Sequence, residues 1–360
     1  MTSHKFRKVA SKDEDVYFFE FPNRESPEAL KVISFLGENL ETAAGSPFPR
    51  VSHWRELHTT KWKQVKAYKD ELVLERLDDA KARLLNSENA EDEMKCATDH
   101  IVFREQQAAI KEDREPQHDT PGAKDELVLF LLAGHEKTSN AIKKAITYLT
   151  QHPSFQIKLR TNLHSTFERG QRSDIVPSGG AIAKACIPYM DAFIEEVLGH
   201  AVLIAAQVRV ALHDTELLRH QIRKSIDVVT MSCGPGFRRP DPFVSRIAET
   251  DRSKTSQASK GAVPHWSSEN FTEFKPDRWI KGTQSDPQAG PSRQFGAGDR
   301  GCSGRELACL ELRIVLTIIL RSSELAPLPE ALISHASLAK PAREPIQRYI
   351  RPIPLPLACP

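Results

Sequence analysis

Residues 295–304 constrain this chain more than any other stretch. They read Phe295-Gly296-Ala297-Gly298-Asp299-Arg300-Gly301-Cys302-Ser303-Gly304, and a strongly helical run from Gly304 to Leu320 follows at once. Phe295, Gly298, Arg300, Cys302 and Gly304 fit the pattern F-x-x-G-x-R-x-C-x-G. At average residue usage, a chance match in a chain of this length is on the order of a few in a hundred thousand. The glycines permit a positive φ and a tight loop whose N–H groups can point at a sulfur. A helix beginning just after Cys302 puts its positive end beside that sulfur and favours the thiolate. Phe295 is placed to shield the sulfur, and Arg300 is placed to meet a carboxylate. A structural cysteine buried in a glycine turn is the competing reading, and the improbability of the match weighs against it.

The other cysteines, at 96, 186, 233, 309 and 359, lack this setting and read as small buried hydrophobes. No C-x-x-C pair occurs, which argues against a zinc ribbon or a dithiol redox motif. The spacing is too wide and irregular for a small disulfide scaffold, so mostly reduced thiols are expected. Fifty Lys and Arg against forty-eight Asp and Glu leave a formal charge of +2. With no basic excess and no basic stripe, nucleic-acid binding is not expected. The N-terminus runs from Met1 to the charged Ser11-Lys12-Asp13-Glu14-Asp15 without an apolar segment, so it does not read as a signal peptide. The longest apolar run, Leu127 to Gly134, is far shorter than the ~20 residues that cross a bilayer. A soluble or at most peripheral chain is expected.

Hydrophobic residues at 39% and charged residues at 27% suffice for a sizeable core. In the first fifty residues, Pro22, Pro27, Pro47 and Pro49 limit any long element. From Trp54 to about Leu85, Val65, Tyr68, Leu72, Leu77, Ala80 and Leu84 recur at helical spacing and predict one amphipathic helix. A shorter helix is expected around 94–112, then a polar loop through Pro116, Pro121 and Gly122. Asp125 is the candidate cap of the next helix, which runs to about Thr150. Its opening run from Leu127 to Ala133 is predicted to be buried on all sides, and Gly134 there suggests close approach to the backbone. Further helices are predicted at 153–169 and 188–200. Val202-Leu203-Ile204, Val208-Arg209-Val210 and Ile226-Asp227-Val228-Val229 predict a small sheet over 201–233. A polar loop is expected at 241–262 and a second at 270–294. Eight prolines in the last 34 residues predict edge strands and extended loops. The fold class is mainly α with a minor β part.

A thiolate shielded by an aromatic ring is what an axial iron ligand requires, and residues 295–304 resemble the heme-binding loop of the cytochrome P-450 superfamily, the heme-thiolate monooxygenases. Three further segments resemble that family in its order along the chain. Ala133-Gly134-His135-Glu136-Lys137-Thr138-Ser139 is similar to the distal-helix motif [AG]-G-x-[DE]-T-[TS]. Pro188 to Gly199 is similar to the helix that carries E-x-x-R. Phe274-Lys275-Pro276-Asp277-Arg278-Trp279 is similar to the segment before the heme loop, whose arginine joins a salt-bridge triad. Two positions depart from the patterns. Lys137 stands where the family keeps a proton-delivering threonine, and Thr138 lies about 100° further round the helix. Gly199 stands where the E-x-x-R arginine would be, which leaves Glu196 expected to keep only Arg278 as partner.

The resemblance implies the cytochrome P-450 fold over the C-terminal two-thirds of a family member, as a single truncated domain over 1–360. Within it, 1–50 match poorly, 124–150 form the distal heme helix and 295–304 the heme-binding loop. It implies heme as cofactor, with Cys302 as the axial thiolate to iron, Arg300 and Arg209 on the propionates, and Phe295 and Gly298 in the loop. Glu136 is implied as the remaining acid of a proton relay. The implied reaction inserts one atom of dioxygen into an apolar small molecule, with an NADPH-cytochrome reductase as electron donor. The likeness is to fungal members that decorate secondary metabolites. Family members usually sit on the endoplasmic reticulum membrane; with no anchor seen here, a cytoplasmic or peripheral place is expected. The alternative is a catalytically dead homologue that acts as a scaffold or does not fold stably.

Overall fold

The computed structural model describes residues 7–10, 17–20, 28–44, 46, 48–85, 91, 94–167, 177–201, 203–204, 206–217, 220–231, 254, 257, 273–290, 294–296, 301–326 and 352–354. The chain divides into two compact units, Met1–His135 and Glu136–Pro360, with the boundary inside a long helix.

The first unit holds a hairpin of β1 (Arg7–Ala10) and β2 (Tyr17–Glu20), paired antiparallel with Arg7 opposite Glu20. Helix α1 (Glu28–Ala44) follows directly after Pro27. The prolines that were expected to limit this region instead bracket a full-length helix, because a proline just outside the first turn removes no intrahelical bond. The single helix predicted from Trp54 to Leu85 is two, α2 (Pro49–Leu57) and α3 (Thr60–Leu85). The break has a local cause. Thr59 donates its N–H to Glu56 O at 3.0 Å and its hydroxyl accepts the Trp62 N–H at 3.1 Å, which ends one helix and starts the next. Along α3, Val73, Leu77, Ala80 and Leu84 form a buried stripe at helical spacing. They pack with Val102 of α4 (Ala97–Glu112) and with Leu127.

Helix α5 (Pro121–Gln151) starts earlier than expected. Thr120, not Asp125, caps it: the Thr120 hydroxyl accepts the Ala123 N–H at 3.2 Å, and Pro121 takes the first helical position. Asp125 lies a turn inside and meets Lys69 at 3.5 Å. The apolar run is not buried on all sides. Leu127 is 7% exposed, whereas Leu129, Phe130 and Leu131 are 62%, 50% and 45% exposed. Consecutive helical residues point in every direction, and Leu127, with the partly buried Val128 beside it, faces the packed cluster while Leu129, Phe130 and Leu131 do not. Nor does anything crowd Gly134, where an added Cβ would meet no atom within 4 Å.

The second unit is built on α6 (Pro153–Phe167), α7 (Gly179–Lys184), α8 (Pro188–His200) and α9 (Arg305–Ser322), together with the C-terminal half of α5. Its core joins Ala141, Ala145 and Leu149 of α5 to Leu159 and Leu163, Phe193 and Val197, and Leu312, Leu316 and Leu320. Each set recurs at four-residue spacing, so α5, α6 and α9 each give one face to this core, whereas α8 is buried on nearly all sides from Tyr189 to Leu198. Gln156 is buried and ties this core to β9 (Ser323–Leu325): its side chain donates to Leu325 O at 2.9 Å and accepts the Leu325 N–H at 2.8 Å.

The small sheet expected over 201–233 is two separate antiparallel pairs. Strands β3 (Ala206–Val210) and β6 (Asp227–Met231) pair with Arg209 opposite Val228, and between them lies the hairpin of β4 (Thr215–Leu217) and β5 (His220–Ile222). Leu203 and Ile204, which read as β-rich, lie outside any strand. Residues 276–279 form a 3₁₀ turn, followed by the hairpin β7 (Ile280–Lys281) and β8 (Gln284–Ser285), whose turn places Gly282 at φ +66°. Strand β10 (Pro352–Pro354) pairs with β9. The loop at 241–262 lies outside the described residues, apart from 254 and 257. Among the described residues, no helix is long and apolar enough to cross a membrane.

Candidate functional site

Helix α8 carries three acids that brace the second unit. Asp191 pairs with Arg313, and Glu195 pairs with Arg305 at 2.7 Å, so both fasten α8 to α9. Glu196 turns the other way and is 2% exposed. Its carboxylate accepts the Lys275 N–H at 2.5 Å and the Trp279 indole N–H at 2.6 Å. Arg278 Nε lies 3.1 Å away and His200 Nε2 3.3 Å away. The expectation that Glu196 keeps only Arg278 is therefore corrected. A carboxylate offers about four acceptor positions, and neighbouring donors fill them here. Burial pushes the Glu196 carboxyl up. The hydrogen bonds from His200, Lys275 and Trp279 outweigh that, with the Arg278 charge, and hold it below the ordinary carboxylate value.

From this anchor the chain leads to the glycine loop. Trp279 is buried, and the Asp286 N–H donates to its carbonyl at 2.7 Å. Gly290 lies so close that an added Cβ would stand 2.7 Å from the Trp279 ring, so only glycine fits without displacing it. Phe295 is half-buried and packs against the core. The backbone turns at Gly296 with φ +71°, and the Cys302 N–H closes the loop on Phe295 O at 2.7 Å. An added Cβ at Gly304 would stand 3.7 Å from Cys302 Sγ, just before Arg305 opens α9. The Arg305 guanidinium lies 5.6 Å from the centre of the Phe295 ring. Cys302 is exposed, unlike a structural cysteine buried in a turn. Gly298 and Arg300 lie outside the described residues.

These features suit heme. The loop is fastened at Phe295 and at α9, and its one soft sulfur donor stands open beside the positive end of a helix. Among the described residues, no three His, Cys, Asp or Glu converge on a bare ion. A lone sulfur suits a metal that brings its own equatorial donors.

Glu136 and Lys137 sit next to each other on α5, with Lys137 Nζ 3.1 Å from Glu136 Oε2. The lysine is thus drawn onto the acid beside it. Arg209 is exposed on β3, where it donates to Val208 O and Gln207 Oε1 at 2.9 and 3.3 Å. Among the described residues the cysteines are free thiols, but the expectation that the others are buried holds only in part. Cys309 is half-buried, and burial pushes its thiol up to about 11. Cys96 and Cys186 are exposed. Cys96 opens α4, where the Asp99 carboxylate occupies its backbone N–H at 3.1 Å. Cys233 and Cys359 lie outside the described residues. Arg313, Gly290, His200 and Arg305 also belong to the support, and no motif in the sequence marks them out. For two of them the signal is positional: His200 stands four residues after Glu196, and Arg305 in the first turn after Cys302.

The family model described as Cytochrome P450 matches residues 18–236 and 266–338. This chain belongs to that family. It is 33% identical over 302 residues to the Hps1-dma1 cluster cytochrome P450 monooxygenase cyp3.1 of Dothistroma septosporum, covering 79% of this chain and 95% of that protein. It is 32% identical to a cytochrome P450 monooxygenase of Pestalotiopsis microspora over 91% of this chain and 58% of that one. A crystal structure of a cytochrome P450, CYP102L1, superposes with a TM-score of 0.56 at 21% identity, over 86% of this chain and 57% of that chain. The chain thus spans little more than half the length of the latter two. The cytochrome P450 fold, mainly α with a minor β part, is the fold of this chain, and the cofactor of the family is thiolate-bound heme.

Proposed function

We propose that this chain is a heme-thiolate monooxygenase that oxidises an apolar small molecule, a fungal secondary metabolite by the company of its relatives, with electrons from an NADPH-cytochrome reductase. The observation that carries the reading is Cys302: an open thiol on a closed glycine loop, at the start of a helix pinned by Glu195 and Arg305. Cys302 would hold the iron. Arg300 and Arg209 would meet the two propionates, with Phe295 and Gly298 as the loop's other cofactor-binding residues. When bound, heme activates dioxygen so that one atom enters the substrate and the other leaves as water. Glu136 would pass protons on the distal side. In the test, the purified chain is titrated with hemin, reduced and treated with carbon monoxide. A saturating one-to-one complex with the red-shifted band of thiolate-bound heme is expected; no saturation, or an unshifted band, would contradict the reading.

A second reading rests on Lys137. Its ammonium lies on the carboxylate that the relay needs, which favours a homologue that holds heme without productive turnover. Product formed per NADPH consumed separates the two.

A further inference from the structure

We propose that His200 is a positioning residue for the Cys302 loop, taking over from one helical turn away the anchoring of Glu196 that a side chain at 199 would otherwise give. The inference rests on the reading of Cys302 as heme ligand. Glu196 and His200 are separated by one turn of α8, so both side chains lie on the same face. Position 199 is glycine and reaches nothing. His200 Nε2 lies 3.3 Å from Glu196 Oε1, the same oxygen that takes the Lys275 N–H at 2.5 Å.

The imidazole is itself held in place. Its side chain is 13% exposed, with the Tyr148 ring edge-on at 6.0 Å and the Phe274 ring at 5.6 Å. Phe274 in turn stacks on Tyr148 at 3.9 Å and packs against Phe193. His200 therefore grips residues 274–279 twice, through the Phe274 ring and through Glu196. Glu196 also holds the Trp279 indole, Gly290 passes close against the Trp279 ring, and further along the chain the Cys302 N–H bonds Phe295 O. Losing the imidazole takes one of three donors from Glu196 Oε1, which keeps the Lys275 N–H and Arg278 Nε, and removes the ring contact with Phe274; the loosened grip on 274–279 then reaches the sulfur.

The test compares the parent with His200→Ala, His200→Gln and the pair Gly199→Arg with His200→Ala. Two measurements are made: hydrogen exchange of the Lys275 amide in the chain without heme, and the fraction of carbon monoxide complex with thiolate-type absorption after hemin loading. His200→Ala should speed Lys275 exchange on the order of tenfold and lower the thiolate fraction. Glutamine keeps a donor within reach and should restore most of both, as should an arginine at 199. An added Cβ at Gly199 would stand 3.6 Å from Gln294 Nε2, an ordinary contact, so the arginine has room to start. Unchanged Lys275 exchange in His200→Ala, or failure of both rescues, would overturn the proposal. So would faster exchange with an unaltered thiolate fraction, because the anchor would then not reach the sulfur. If even the parent gives no thiolate absorption, the heme reading fails by itself, and Lys275 exchange still decides whether His200 anchors Glu196.

Discussion

Lys137 is the residue whose chemistry sits least easily with oxygen transfer. Its Nζ is 3.1 Å from Glu136 Oε2, so the acid proposed for the proton relay is engaged by its neighbour, and no hydroxyl occupies position 137. Lys137→Thr is expected to raise product formed per NADPH consumed and to lower peroxide release in parallel. Equal coupling in both proteins, above background, would show that 137 does not act in the relay. At this scale the sequence was most informative where backbone constraints are tight. The glycines around Cys302 announced a closed loop before a helix, and the Cys302 N–H does close on Phe295 O. It was least informative for the partners of Glu196, because a buried carboxylate is satisfied by whichever donors the tertiary fold brings. The Lys275 N–H and the Trp279 indole arrive from about eighty residues away in sequence.

Among the elements, α8 organises the second unit: Asp191 and Glu195 hold α9, and Glu196 holds the 3₁₀ turn. The burial of both faces of α8 follows from its near-continuous apolar run from Tyr189 to Leu198. Helix centres were legible in this way from periodicity, while helix ends were not, since they depend on single capping bonds. The start of α5 is the clearest case. Thr120→Ala is expected to lower stability by about 1 kcal/mol through loss of the cap. Asp125→Ala should change it by well under about 1 kcal/mol, because its contact with Lys69 is an exposed ion pair. Chemical denaturation of both variants checks the order; a larger loss for Asp125→Ala would return the cap to that residue. The misjudged burial of Leu129, Phe130 and Leu131 has a similar origin, since an apolar run marks a helix as buried without saying what covers each side.

For the whole molecule, each unit has its own apolar core, around Leu77 in the first and around Phe193 and Leu316 in the second. Both cores contain a carboxylate held in its charged form. In the first, burial pushes Asp99 up but the Arg83 hydrogen bond and others hold it below its ordinary value; in the second, Glu196 is held down likewise. A carboxyl lowered in the folded state adds stability above its unfolded value, and that stability is lost as pH falls through the folded value. Asp191, pushed up by burial beyond what Arg313 offsets, works in the opposite sense. Stability is therefore expected to fall as pH drops below about 4.5, and the fall should be shallower in Glu196→Gln. Urea midpoints across the acid range check this; identical acid limbs would show that Glu196 does not carry the dependence. Cys302 is proposed as the one cysteine that presents its sulfur to heme. That proposal is tested most directly by the ferrous carbon monoxide spectra of hemin-loaded parent, Cys302→Ala and Cys309→Ala proteins. Thiolate-type absorption is expected in the parent and in Cys309→Ala, whose replaced thiol is half-buried and pushed up to about 11, and its loss is expected in Cys302→Ala. Thiolate-type absorption that survives in Cys302→Ala would contradict the proposal.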